Sequence, residues 1–210
     1  SIVPAIAALP PATAPVAPTP SLFGTQEIFH GDASPFRQWT DMLARAKAEF
    51  TSVPTACARG TPACTMGEWS QLVAKLAPLP LRQKVALANA VLNGVPYVAT
   101  TRNWSRKIYW EAPLEFLAYG GQCQDYAIAK FMALRQAGVP AALMRVVIFR
   151  ATALGEDHAV LVVNVDGQAL MLDNLRSGIA PANSETSYRP YYSINEAGWW
   201  QHIAGTRQMA

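Results

Sequence analysis

Residues 158–175 read HAVLVVNVDGQALMLDNL. At their centre, Asp166-Gly167 is the strongest short signal for a two-residue hairpin, because both turn positions need a positive φ. The flanking runs, HAVLVVNV and QALMLDNL, are rich in branched apolar residues and read as antiparallel strands. Both faces of this hairpin are apolar, so helices are expected to cover each side. With Asp166 and Gly167 in the turn, Val165 faces Gln168 and Val160 faces Asp173. His158 lies two residues from Val160 and so shares the face of Asp173. Diagonal neighbours on one face sit about 7–8 Å apart at Cα, within reach of an imidazole and a carboxylate. The sequence therefore predicts a His158–Asp173 contact at the open end of the hairpin. A slip of one residue would switch faces and remove it.

Upstream, LMRVVIFR (143–150) reads as a third strand, and before it the texture is helical. Residues 35–50 space Phe36, Trp39, Met42, Leu43 and Ala46 along one helical face, with Pro35 near the start. Two more helices follow, over 67–77 and 81–94, bounded by Pro78 and Gly94. A looser aromatic stretch, YVATTRNWSRKIYW, precedes a short helix that opens at Pro113 and stops at Gly120-Gly121. The run CQDYAIAKFMALRQAG then begins a helix at Cys123, apolar along one side and closed by Gly138 with Pro140 beyond. Helices first and strands after indicate an α+β domain.

Cys123 completes a set. At a helix start, unpaired N–H groups and the helix dipole stabilise a thiolate. Gly120 and Gly121 just before it would let a substrate backbone approach. A cysteine there, a histidine on one strand and an aspartate on the next form a nucleophile, base and orienter. Each residue also has a plain alternative: a small buried hydrophobe for Cys123, a strand-end histidine for His158, and a turn residue for Asp173 before Asn174. The other histidines rank lower. His30 is placed in a loop beside Gly31-Asp32, and His202 packs among Trp199 and Trp200.

Composition narrows the class. The chain has 210 residues, 51% apolar and 15% charged, with 17 Lys+Arg against 14 Asp+Glu, a net +3. That suits a packed domain rather than a disordered chain. It gives no basic footprint for nucleic acid and no span for a transmembrane helix. Residues 1–21 begin with six prolines and six alanines in the first twenty positions. They read as an extended arm, either following a removed export signal or left from one. Residues 22–210 are expected to form a single domain. Cys57 and Cys64 bracket a short loop, CARGTPAC, that a disulfide closes easily, which places the protein in an oxidising space such as a periplasm. A metal site there lacks a nearby third ligand.

GGQCQDYAIAKFMALRQAGVP followed by HAVLVVNVDGQALMLDNL closely resembles the bacterial transglutaminase-like cysteine peptidases of the LapG type. FRQWTDMLAR, YWEAPLEFLAYG and YRPYYSINEAGWW extend the match over roughly residues 22–205. The resemblance implies a papain-like, transglutaminase-like core, in which the Cys-bearing helix packs on an antiparallel sheet carrying His and Asp. It implies a Cys123–His158–Asp173 triad, periplasmic location and hydrolysis of a peptide bond. The implied substrate is a large surface adhesin, cut near its N-terminus in the control of biofilm formation. The implied partner is an inner-membrane receptor for cyclic di-GMP that sequesters the protease. Calcium-dependent members carry an Asp just before the nucleophile and a Glu just after it. Here those positions are Gln122 and Gln124, so no metal or other cofactor is expected, because calcium selects clustered carboxylates. The Cys123 N–H is the natural oxyanion donor, with Gln122 or Trp110 assisting. Two other functions fit the residues: an acyl transferase that uses the same acyl-enzyme with an amine acceptor, and a binding module with an idle triad.

Overall fold

The structure, a computed structural model, describes residues 21–51, 62–104 and 108–204. Six helices come first: α1 (Arg37–Thr51), α2 (Pro62–Leu76), α3 (Leu81–Leu92), α4 (Thr100–Trp104), α5 (Pro113–Tyr119) and α6 (Cys123–Gln136). A short strand, β1 (Gln26–His30), precedes them. β2 (Met144–Ala151), β3 (Glu156–Val165), β4 (Gln168–Leu172), β5 (Ile179–Pro181), β6 (Tyr188–Asn195) and β7 (Gly198–Ile203) follow. All seven strands join one antiparallel sheet in the order β1-β7-β6-β2-β3-β4-β5. The class is α+β, as the order of elements indicates.

The hairpin forms in the expected register, with Val165 opposite Gln168 and Leu161 opposite Leu172. Asp166 and Gly167 both take positive φ, 53° and 80°, the backbone a primed turn demands. One face of β3 and β4 packs through Leu161, Val163, Leu170 and Leu172 into the main core with α6. The opposite face carries Val160, Val162, Ala169 and Met171, and helices do not cover it. It is closed by two 3₁₀ turns, Leu22–Gly24 and Ala182–Ser184, through Leu22 and Ala182, together with Phe23 and Tyr188. The apolar pattern fixed that this face is buried but not what buries it.

α6 is the central post. Its residues from Asp125 to Arg135 are all buried, so the one-sided reading of its sequence was too narrow. A helix enclosed on all sides carries little amphipathic signal. It packs against β2, β3, α2, α3 and α5, which holds its first turn rigidly against the end of the sheet. Trp39 meets Phe131 edge-on at 5.6 Å. Truncating Phe131, fully buried, to alanine should cost about 3–5 kcal/mol.

Three boundaries differ from the sequence reading. α2 starts at Pro62, so Cys64 sits in its first turn rather than in a loop. His30 ends β1, stacked on Trp199 at 4.1 Å, instead of standing in a loop. Four strands, β1, β5, β6 and β7, were not read as strands. β6 contains Pro190 and shifts register against β2 between Ile148 and Phe149. A bulge of this kind accommodates a proline inside a sheet and breaks the period-2 pattern. The N-terminal arm to residue 20 and Cys57 lie outside the described residues.

Candidate active site

The loop before α6 is built by close packing. Val98 N–H donates to Gly121 O at 3.0 Å and Gly121 N–H to Pro96 O at 3.3 Å, so residues 96–98 run beside the glycines. A β-carbon at Gly120, where φ is 72°, would overlap the Pro96 carbonyl. One at Gly121 would meet Asp125 and Phe116 at 2.7–2.9 Å. On the side a β-carbon would take, the glycines admit the protein's own chain. Gln122 is extended, and its N–H donates to Asp125 Oδ2 at 2.8 Å, which caps the helix. The next residue, Cys123, opens α6 as a half-buried free thiol. Its backbone N–H, in the first turn, lacks an intrahelical acceptor.

His158 is buried at the start of β3. Its Nε2 lies 2.8 Å from Asp173 Oδ1, which leaves Nδ1 for the thiol. Burial opposes the imidazolium, but hydrogen bonds to Asp173 and to Cys123, and the charges on both, raise its pKa to about 9. Asp173 is fully buried just beyond β4. Burial works against its charge too. The bonds from His158, from Leu175 N–H at 2.9 Å and from Tyr188 Oη at 2.7 Å overcome it and hold the carboxyl below the usual range. Asn93, at the end of α3, donates to the Asp173 and Arg176 carbonyls at 3.0 and 2.9 Å and ties that turn to the helical layer. Tyr188, Phe149 and Asn93 were missed at the sequence level. Tyr188 lies 15 residues from Asp173 and Asn93 lies 80 away. No local pattern links such positions.

The residues flanking the thiol have specific partners. Gln122 Oε1 accepts from the Thr100 hydroxyl and from Thr100 N–H at 3.3 Å. Its amide N–H groups are left as donors and reach the Tyr97 hydroxyl. Gln124 Nε2 donates to Asp125 Oδ2 at 3.0 Å, and Glu111 N–H donates to Asp125 Oδ1 at 2.8 Å. Burial and the neighbouring Glu111 carboxylate push the Asp125 pKa well above the usual carboxylate range. Calcium needs several free, charged oxygens. Here two side chains are neutral amides and the one carboxylate among residues 122–125 already receives N–H donors on both oxygens. Trp110 faces α1, where its carbonyl accepts from Arg45 and it lines a small cavity with Arg37, Asp41 and Ile108. Cys64 is disulfide-bonded.

A family model described as bacterial transglutaminase-like cysteine proteinase matches residues 47–208. Solved structures of LapG from Legionella pneumophila superpose on the chain. The calcium-bound form is 24% identical with a TM-score of 0.62, covering 81% of this chain and 92% of that one. The EGTA-treated form is 26% identical with a TM-score of 0.59, covering 85% and 89%. A third, without stated treatment, is 25% identical with a TM-score of 0.58, covering 81% and 88%. A comparison with curated proteins finds no match.

Proposed function

The chain belongs to the bacterial transglutaminase-like cysteine proteinase family and is a cysteine peptidase, and from that premise we propose that it is a periplasmic endopeptidase cutting an exported surface adhesin near its N-terminus. The observation that supports the catalytic assignment is the 2.8 Å bond from His158 Nε2 to Asp173, which leaves Nδ1 as the ring nitrogen open to Cys123 at the start of α6. In this reading Cys123 passes its proton to His158 and attacks the scissile carbonyl carbon. The oxyanion receives the Cys123 N–H and an amide N–H of Gln122, whose orientation Thr100 fixes. His158 returns the proton to the leaving amine. Water, deprotonated by His158, then hydrolyses the thioester and restores the thiol. Asp173 keeps the proton of the neutral imidazole on Nε2 and stabilises the imidazolium.

Export is supported by the likeness to LapG and by the disulfide at Cys64, whose expected partner is Cys57, since such a bond needs an oxidising compartment. Among the described residues no helix is long and apolar enough to cross a membrane. The amide pair at Gln122 and Gln124 supports activity without calcium. A receptor for cyclic di-GMP at the inner membrane is the expected regulatory partner, and biofilm release the expected role. The test is incubation of an N-terminal adhesin fragment with the wild type and with Cys123→Ala. Cleavage by the wild type alone is expected, and cleavage by both removes the assignment from this site. Adding a primary amine separates hydrolysis from acyl transfer by the mass of the product.

A further inference from the structure

We propose that Tyr188 is a positioning residue for the reaction, fixing through Asp173 the imidazole that serves Cys123. The proposal rests on the roles given to Cys123, His158 and Asp173 above. A carboxylate on a single-bonded stem rotates unless both oxygens are held. Asp173 Oδ1 takes His158 Nε2 and Leu175 N–H, whereas Oδ2 takes the Tyr188 hydroxyl at 2.7 Å, with Arg176 Nε more distant at 3.9 Å. The hydroxyl is thus the close hydrogen bond on the second oxygen.

The ring behind that hydroxyl is immobilised. Tyr188 is buried and stacks on Phe149 with centroids 4.0 Å apart. Phe149 in turn meets the His158 ring edge-on at 5.4 Å. Phe23 closes the stack, 6.0 Å from Phe149 and 6.3 Å from Tyr188. It does so with φ at 54°, an uncommon value for a residue with a β-carbon, and with its N–H on Asn183 Oδ1 at 2.6 Å. Such a conformation persists where surroundings over-determine it. An aromatic column from the N-terminal turn to β6 therefore aims one hydroxyl at Asp173. Burial and the Asp173 charge keep that hydroxyl protonated far above neutrality. The charged groups facing Asp173 are His158, Arg176 and, from α6, the buried Lys130. Tyr188→Phe leaves His158 and Lys130 untouched, and the Arg176 side chain loses its contact with the hydroxyl.

Tyr188→Phe removes the hydroxyl and keeps the stack. Losing a hydrogen bond to a charged group should lower kcat about tenfold. KM should stay within about twofold, since uniform binding of substrate is untouched by a buried ring. The rate of Cys123 alkylation by iodoacetamide at a fixed pH, which reads the thiol and its base without substrate, should fall about threefold. In an Asp173→Asn background the same change should add nothing, because Tyr188 acts only through that carboxylate. Wild-type kcat and alkylation rate in Tyr188→Phe would overturn the proposal, as would losses that multiply with those of Asp173→Asn. Slowed alkylation in a protein that cuts no adhesin fragment upholds the positioning role and sinks the substrate assignment instead. Should Tyr188→Phe melt below the assay temperature, Phe23→Leu loosens the column while sparing the hydroxyl. It is expected to lower kcat about threefold at unchanged KM, and an unaltered kcat there would overturn the claim.

Discussion

Two buried histidines sit at different places on one sheet and behave in opposite ways. His158 and His202 are 5% and 8% exposed, and each ring has a carboxylate within 4 Å. Yet His158 is raised to about 9 while burial, only partly offset by Glu27 and reinforced by Arg145, lowers His202 to about 4. The difference lies in what the carboxylate is already doing. Asp173 gives Oδ1 directly to His158. Glu27 gives Oε2 to Arg145 at 2.7 Å and Oε1 to Leu22 N–H at 2.9 Å, and stands 3.9 Å from His202. His202 bonds instead to two hydroxyls, Thr25 at 2.7 Å and Ser193 at 2.9 Å. A neutral ring donates to one hydroxyl and accepts from the other, and neither bond favours its charge. A serine, a histidine and a glutamate so arranged resemble a catalytic set. Ser193 is fully buried, however, and the carboxylate is committed elsewhere.

The largest expected effect breaks the two histidines apart by activity. Cys123→Ala should abolish cleavage, and His158→Ala should lower kcat by roughly 10³-fold or more, as loss of a triad base does. His202→Gln should keep kcat within about threefold and lower stability by about 1–3 kcal/mol through unpaired buried hydroxyls. Equal losses of kcat in the two histidine variants would erase the distinction.

Stability against pH separates them with opposite signs. The folded pKa of His158 lies above its unfolded value near 6.5, so its contribution is complete below 6.5 and disappears as pH rises through about 9. The folded pKa of His202 lies below 6.5, so its contribution is present above 6.5 and disappears as pH falls through about 4. Each is worth on the order of 3 kcal/mol at most. Denaturant midpoints at pH 4, 6.5 and 9 should therefore peak in the middle. His158→Ala should flatten the alkaline side alone, and His202→Gln the acid side alone. Resonances of both rings titrating together near 6.5 would contradict both assignments.

Only half of this contrast was legible in the sequence. His158 and Asp173 lie on either side of an Asp-Gly turn, so strand arithmetic placed them on one face and at one end. A turn of known type propagates its register, which makes that contact local in disguise. Cys123 was legible as the start of a helix between glycines and a long apolar run. Tyr188 and the closing turn at Leu22–Gly24 were not, because contacts from 21–25 to β6, β7 and the turn after β5 carry no periodic signal. His202 was read as packing, yet its two hydroxyl partners come from β6 and from the residue before β1. The same holds for the oxyanion side. Gln122 was picked out by its position next to the thiol, and Thr100, which orients it, was not.

Of the three cysteines, Cys64 is disulfide-bonded and Cys123 is free, and Cys57 is the expected partner of Cys64. Intact mass should be two hydrogens below the reduced value, with Cys123 the one alkylatable thiol. Reducing a loop this short should cost about 2–3 kcal/mol in the chain-entropy model. Three alkylatable thiols after purification from an oxidising compartment would remove the disulfide and weaken the case for export.

The smallest expected effect concerns calcium, and it follows from the same rule about committed carboxylates. Asp125 is buried and, like Glu27, already engaged. Its oxygens accept from the backbone N–H groups of Glu111 and Gln122 and from the side chain of Gln124. A cation would have to displace donors that cap α6 and hold the nucleophile's own loop. The amides at 122 and 124 offer it no charge in exchange, and calcium binding is largely charge with oxygen. Thr100 meanwhile braces Gln122 from α4, so the loop already has a support of its own. Melting temperature and kcat should accordingly be the same in excess chelator and in millimolar calcium. Restoring acids at both flanks, Gln122→Asp with Gln124→Glu, should lower activity in chelator and make it respond to calcium. It should also release Thr100 from its acceptor. If the wild type loses activity in chelator and regains it with calcium, then Asp125 is not committed as its hydrogen bonds indicate, and the likeness drawn between Asp125 and Glu27 fails with it.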